Sequence, residues 1–301
     1  MLTIQQNISM KLTCHSEFGI LKSVVIKRAN QAFIDDIHLD THWNELNYFS
    51  KPNFELASLE YEQFENALKK MGATIMYLPK NNAVNMDSIY CRDAAIATDH
   101  GMILCNMGKA ARKNEPFALK QLFNEQNIAV LGQILSPGSL EGGDVAWLDQ
   151  TTLAVGQSYR TNEEGINQLE SLLKPIGVEV IRVPLPHYKG PDDVFHLMSI
   201  FSPIDKDLAV VYSPLLPIRF RMYLQQNGYQ LIEVPTEEFD LMGCNVLAIA
   251  PRNCLMVEGH PKVKKLLENE GCIVSLYKGE EISVKGGGGP TCLTRPIYRA
   301  L

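Results

Sequence analysis

Gly177-Val178-Glu179-Val180-Ile181-Arg182-Val183-Pro184 reads as a turn and a short apolar strand at the end of a helical stretch. The same reading returns at Met71-Gly72-Ala73-Thr74-Ile75-Met76-Tyr77-Leu78-Pro79 and at Asn127-Ile128-Ala129-Val130-Leu131. It recurs at Gly228-Tyr229-Gln230-Leu231-Ile232-Glu233-Val234-Pro235 and at Gly271-Cys272-Ile273-Val274-Ser275-Leu276-Tyr277, a spacing of roughly fifty residues. Before each helical stretch lies another β-like segment, at 21–26, 102–105, 152–155, 208–212 and 254–257. After each repeat comes a third segment, at 90–98, 140–148, 194–201, 241–249 and 288–297. The unit is therefore strand, helix, strand, strand, in five copies. One copy cannot bury its apolar strand faces, whereas five arranged about an axis can close on one another with helices outside. The expected fold is a single α/β domain spanning residues 1–301, a propeller of five-fold pseudosymmetry. A doubly wound parallel sheet split into two domains is the competing arrangement. No Gly-rich dinucleotide fingerprint follows the first strand to support it.

The chain has 46% hydrophobic and 21% charged residues, an ordinary globular composition, and no apolar stretch long enough to cross a bilayer. Gln5, Gln6, Asn7 and Lys11 interrupt the N-terminal run, which argues against an export signal. Seven cysteines, an odd number without paired spacing, fit a reducing compartment, and a cytoplasmic location is expected. A net charge of -6 gives no basic footprint for nucleic acid.

Reactive side chains gather in the third segments. The first copy carries Asp87 and Asp93, the second Glu141 and Asp144 around Gly142-Gly143, the third His196 and the fifth Cys292 after Gly286-Gly287-Gly288-Gly289-Pro290-Thr291. If the copies are related by rotation, these groups converge on the axis as a nucleophile, a base, an orienting carboxylate and acceptors for a cation. Each has a plainer reading. Most cysteines are small buried hydrophobes. His196 between Phe195 and Leu197 could be a core histidine, Gly142-Gly143 a simple bend, and Asp87 and Asp93 strand caps. Cys292 differs because four glycines and a proline allow a backbone that passes close to a ligand. No cysteine occurs in the close pairs that zinc sites use, so neither metal nor cofactor is expected.

Taken together, residues 87–93, Glu141-Gly142-Gly143-Asp144, Arg160-Thr161-Asn162 with Gly165, His196-Leu197-Met198-Ser199 and the Gly-rich run ending in Cys292 carry a likeness over nearly the whole chain. The sequence resembles the pentein superfamily of guanidine-modifying enzymes, and within it the dimethylarginine dimethylaminohydrolases most. The resemblance implies a hydrolase that forms a covalent thiouronium intermediate on Cys292, with His196 as general acid and base and Glu141 orienting the imidazole. It implies Asp87 and Asp93 as holders of the guanidinium nitrogens, Tyr90 in place of a phenylalanine packed on the guanidinium, and Arg160 as binder of the substrate carboxylate. Arg112 is a second candidate for that last role, and 28–30 a loose match to a mobile flap. Two departures bear on substrate. Arginine deiminases carry an aspartate where Met198 stands, while the glycine run before Cys292 is more similar to deiminases and amidinotransferases. The expected partner is a small guanidine molecule, with a homodimer as an open option and with no nucleic acid or membrane. The expected reaction is methylated arginine to citrulline plus methylamine or dimethylamine. Deiminase or amidinotransferase activity, or a non-catalytic guanidine sensor, are the alternatives.

Overall fold

A computed structural model describes residues 14–193 and 195–301. Residues 1–13, where the argument against an export signal lies, and Val194, first residue of the third segment in the third unit, fall outside the described residues.

Five three-stranded sheets make up the β-structure of the described residues. The first joins β1 (Ile20–Ile26), β2 (Thr74–Tyr77) and β15 (Arg295–Ala300), the last strand of the chain. The second holds β3 (Ala95–Thr98), β4 (Gly101–Leu104) and β5 (Val130–Gln133), and the third β6 (Val145–Trp147), β7 (Thr152–Gln157) and β8 (Glu179–Pro184). The fourth holds β9 (Phe201–Asp205), β10 (Leu208–Val211) and β11 (Gln230–Glu233), and the fifth β12 (Leu247–Ala250), β13 (Asn253–Val257) and β14 (Ile273–Tyr277). In every sheet the middle strand runs antiparallel to one neighbour and parallel to the other. The parallel partner is reached through a helix: Phe54–Lys70, Glu115–Glu125, Glu163–Leu173, Ile218–Gln226 and Pro261–Asn269. The five-fold repeat expected of the sequence is thus the repeat of the structure, and the third segment of each unit supplies the antiparallel strand of the next sheet.

Burial tells which edge faces the axis. The antiparallel edge strands β3, β6 and β12 are buried over all or nearly all their length, whereas β2, β5 and β11 on the parallel side are mostly half-exposed. The helices cover the sheets with one apolar stripe each, such as Ala57, Tyr61, Phe64 and Leu68, or Ile166, Leu169 and Leu173. Asn53 and Asn162 cap two of them, their side chains accepting from Leu56 N–H at 2.9 Å and Gly165 N–H at 2.8 Å.

The repeated turn has a stereochemical cause. Gly72, Gly177, Gly228 and Gly271, and Asn127 in the second copy, all have positive φ, between 53° and 86°. The chain must leave each helix in the left-handed region before entering the outer strand, which favours glycine and tolerates asparagine. Gly177→Ala should therefore lower the urea unfolding free energy by about 1 to 2 kcal/mol, while Asn127→Gly should leave it unchanged or raise it slightly. Equal effects of the two substitutions would contradict this assignment.

Candidate active site

The turns that precede the inner strands are joined around the ring by hydrogen bonds between successive units. Arg92 N–H donates to the Cys292 carbonyl at 3.1 Å, tying the first unit to the fifth, and Gly142 N–H donates to the Asp93 carbonyl at 2.8 Å. Leu197 N–H donates to Asp144 Oδ1 at 3.0 Å, and Ser202 Oγ–H to the Cys244 carbonyl at 2.7 Å. Thr291 donates through N–H and Oγ–H to Asn245 Oδ1, at 3.0 and 2.8 Å. Reactive residues that are far apart in sequence are thereby brought to one place.

A cavity opens there, lined by Asp87, Tyr90, Asp93, Lys109, Arg112, Glu141, Arg160, Cys292, Leu46 and the glycines 286–288. Of the reactive and binding residues named from the sequence, Asp87, Tyr90, Asp93, Arg112, Glu141, Arg160 and Cys292 line it, whereas His196 and Asp144 do not. His196 stands directly behind, with Nε2 2.8 Å from Glu141 Oε2 and Nδ1 3.9 Å from Asp93 Oδ1. Gly143 makes room for the imidazole, since a Cβ there would strike His196 Nδ1 and Asp93 Oδ1. Glu141 Oε1 accepts from the Lys109 main-chain N–H at 2.9 Å, so the carboxylate is held at both oxygens.

The glycine run serves Tyr90. A side chain at Gly286 or Gly288 would collide with the Tyr90 ring, which is buried against both and donates its hydroxyl to the Ile282 carbonyl at 3.3 Å. Cys292 is held at the end of this run. Asn245 Nδ2 lies 3.4 Å from its Sγ and Thr291 Oγ1 3.8 Å. Asn245, from the fourth unit, was not singled out in the sequence. It fills the gap in the expected pattern, so that all five third segments contribute.

The two arginines differ. The Arg112 guanidinium is committed within the protein, donating to Glu115 at 2.9 and 2.7 Å, to Asp93 Oδ2 at 2.6 Å and to the Tyr90 carbonyl at 3.0 Å. Arg160 is buried and makes only one side-chain hydrogen bond among the described residues, to the Asp193 carbonyl at 3.4 Å, while its Nε has none. Of the expected carboxylate binders, Arg160 is the one with donors to offer. The 28–30 stretch does not line the cavity; Arg28 is pinned to Glu65 at 2.7 and 2.8 Å. Met198 is buried in the turn Leu197–Ser199 and is absent from the cavity wall as well.

Burial and charge set the protonation states. Burial disfavours an imidazolium at His196, but Asp144, Asp93 and Glu141 outweigh it and raise its pKa to about 9. Burial would raise the Glu141 carboxyl, yet its bond to His196 holds it below the ordinary range. Burial, with Asp93 nearby, pushes the Cys292 thiol up to about 11, against the hydrogen bonds from Thr291 and Asn245. The free protein at neutral pH thus holds an imidazolium, a carboxylate and a thiol. Asp93, Glu141 and His196 also present donor atoms within 4.8 Å of one another, a set that could surround a metal ion. As folded, His196 Nε2 is bonded to Glu141 and Asp93 Oδ2 to Arg112. One acceptor is left over: Asp93 Oδ1 is buried and accepts no hydrogen bond from any described residue. A buried carboxylate oxygen in that condition calls for a donor from a ligand.

Known proteins share this chain's sequence pattern and fold over most of its length. A family model described as N,N dimethylarginine dimethylhydrolase, eukaryotic, matches residues 33–299. The uncharacterized protein YkgA of Bacillus subtilis is 28% identical over 291 residues, covering 96% of either chain. An N(G),N(G)-dimethylarginine dimethylaminohydrolase of Streptomyces coelicolor is 26% identical over 252 residues, 80% of this chain and 88% of its own. Among solved structures, the dimethylarginine dimethylaminohydrolase of Pseudomonas aeruginosa complexed with citrulline superposes with a TM-score of 0.73 at 20% identity, over 93% of this chain and 99% of its own. That likeness establishes the fold as the five-fold one.

The raised His196 pKa has a consequence for stability. A group whose folded pKa lies above its unfolded one stabilises fully below the unfolded value, here 6.5, and that contribution is lost as pH rises through about 9. The advantage of the wild type over His196→Gln in urea unfolding should therefore shrink by about 3 kcal/mol between pH 6 and pH 10. An advantage constant across that range would mean that folding leaves the imidazole pKa unshifted.

Proposed function

The chain belongs to the N,N-dimethylarginine dimethylhydrolase family, and on that footing we propose that it is a hydrolase of guanidino C–N bonds whose substrate is a methylated arginine. The observation that carries this reading is the buried Asp93 Oδ1, which accepts no hydrogen bond from any described residue, in a cavity that also holds the Cys292 thiol. A planar cation rich in N–H donors meets that acceptor and is presented to the sulfur.

In the reaction, Asp87 and Asp93 hold the guanidinium, Tyr90 packs on it and Arg160 takes the substrate carboxylate. Arg112 keeps Asp93 in place. Bringing a cation beside the Cys292 thiol offsets its burial: a unit charge about 4 Å away at an effective dielectric near 20 is worth about 4 kcal/mol. As the cation binds, the Cys292 thiol loses its proton to solvent; the thiolate attacks the guanidinium carbon, and His196, already an imidazolium, gives its proton to the departing methylamine or dimethylamine. The neutral imidazole then takes a proton from water, whose oxygen attacks the thiouronium carbon. The C–S bond breaks, the sulfur leaves as the thiolate, and the hydroxyl proton of the adduct passes to the released amine, which leaves neutral citrulline. A cytoplasmic site of action fits the seven free cysteines.

Methylated arginine is favoured over arginine by the acceptors available. The carboxylates lining the cavity are Asp87, Asp93 and Glu141, and the turn that carries Met198 adds none. An unsubstituted guanidinium leaves N–H donors unmatched, at about 1 to 3 kcal/mol each. A methyl group removes a donor and gains apolar contact worth about 0.8 kcal/mol. Methylated arginines should therefore be processed with a kcat/KM at least about tenfold above arginine, since about 1.4 kcal/mol is a factor of ten. Identifying the amine released from dimethylarginine, monomethylarginine, arginine and agmatine checks this. Cys292→Ser should abolish turnover on all of them. Preference for arginine or agmatine, or a requirement for an acceptor amine, would contradict the proposal.

A further inference from the structure

In the free protein the cation site at Asp87 is already occupied from within. The Lys109 ammonium donates to Asp87 Oδ2 at 2.7 Å and to the Leu46 carbonyl at 2.7 Å. These acceptors belong to different walls of the cavity. Asp87 sits in the turn Met86–Ile89, while Leu46 belongs to the segment after the helix Asp36–His42, which meets the glycine run where Phe49 N–H donates to the Lys285 carbonyl at 2.8 Å. Lys109 thus neutralises a buried carboxylate and ties the Asp87 turn to the Leu46 segment.

An ammonium and a guanidinium compete for the same acceptor. The Lys109 main chain holds Glu141 through its own N–H, so the side chain can swing away without releasing that carboxylate. We propose that Lys109 is a displaceable internal cation, holding Asp87 in the free protein and yielding it to the guanidinium of the substrate. This rests on the reading of the cavity as a guanidine site. Exchange of one cation for another keeps the buried charge nearly constant, and it frees the Leu46 carbonyl at the same moment. Hydrolysis then turns the cationic guanidinium into a neutral ureido group, which cannot compensate Asp87. Return of the Lys109 ammonium expels the product. Lys109 therefore selects for cationic substrates and drives release of the neutral product.

The test measures binding by calorimetry in the Cys292→Ser protein, alone and combined with Lys109→Gln or Lys109→Met. The glutamine removes the competing charge but keeps a polar side chain, so it serves if the methionine variant misfolds. The probes are guanidinium chloride at non-denaturing concentration, dimethylarginine and citrulline. A site freed of its competitor should bind guanidinium ion and dimethylarginine about tenfold tighter, because apparent affinity falls with the fraction of sites held closed. In otherwise wild-type enzyme, Lys109→Gln should lower KM and strengthen inhibition by citrulline, while a merely structural role would lower kcat without tightening either ligand. Unchanged or weaker binding of guanidinium ion, or its failure to bind any of the proteins, overturns the proposal. Weakened dimethylarginine binding with guanidinium ion unaffected overturns it too, making Lys109 a binder of the carboxylate. Turnover of methylarginines with unchanged affinities would sink this inference and leave the proposed function standing. Tighter guanidinium binding without turnover of any guanidine would do the reverse.

Discussion

The site depends on closure of the ring. β1 accepts β15, the last strand of the chain, as antiparallel partner on one edge and β2 as parallel partner on the other. That pairing carries the C-terminal turn with Cys292 to the turn that holds Asp87 and Asp93, and the bond from Arg92 N–H to the Cys292 carbonyl fixes it there. Nucleophile and cation acceptors are about two hundred residues apart in sequence. Loop-closure entropy grows only slowly with length, so a separation of this size is affordable once the sheets pack. Loss of the β1–β15 pairing would separate the two half-sites.

Closure also creates the electrostatic problem that the site solves. Asp87, Asp93, Glu141, Arg112, Glu115 and His196 are all buried, where an unpaired charge is costly. They are satisfied in pairs: Arg112 with Asp93 and Glu115, His196 with Glu141, Lys109 with Asp87. What remains in the cavity is an Asp93 oxygen that accepts no hydrogen bond from any described residue, an Arg160 Nε that donates none, and a protonated thiol. A donor-rich cation would meet that oxygen and favour the ionisation that the nucleophile needs.

The repeat was legible because the same stereochemical need, a left-handed exit from the helix, is written as glycine or asparagine five times. Convergence of Cys292, His196, Glu141, Asp87 and Asp93 followed from their equivalent places in the repeat. Asn245 escaped notice because an amide has no titratable signature, although its segment had been marked. The commitment of Arg112 was readable in principle, since Glu115 lies three residues on in a helical register. The place of Lys109 was not, because it depends on Leu46 and Asp87 from other parts of the chain. Met198 sits where family likeness puts it in sequence, yet a residue in a tight turn can point away from the cavity its neighbours line.

The account turns on a bond between Cys292 and substrate carbon, and rapid quenching followed by mass spectrometry observes that bond directly. Wild-type protein mixed with dimethylarginine and quenched in acid within the first turnover should carry one adduct, with the mass of the substrate less its dimethylamine, on the peptide containing Cys292. An adduct on another cysteine, or citrulline formed at full rate with no adduct on any peptide, would contradict it.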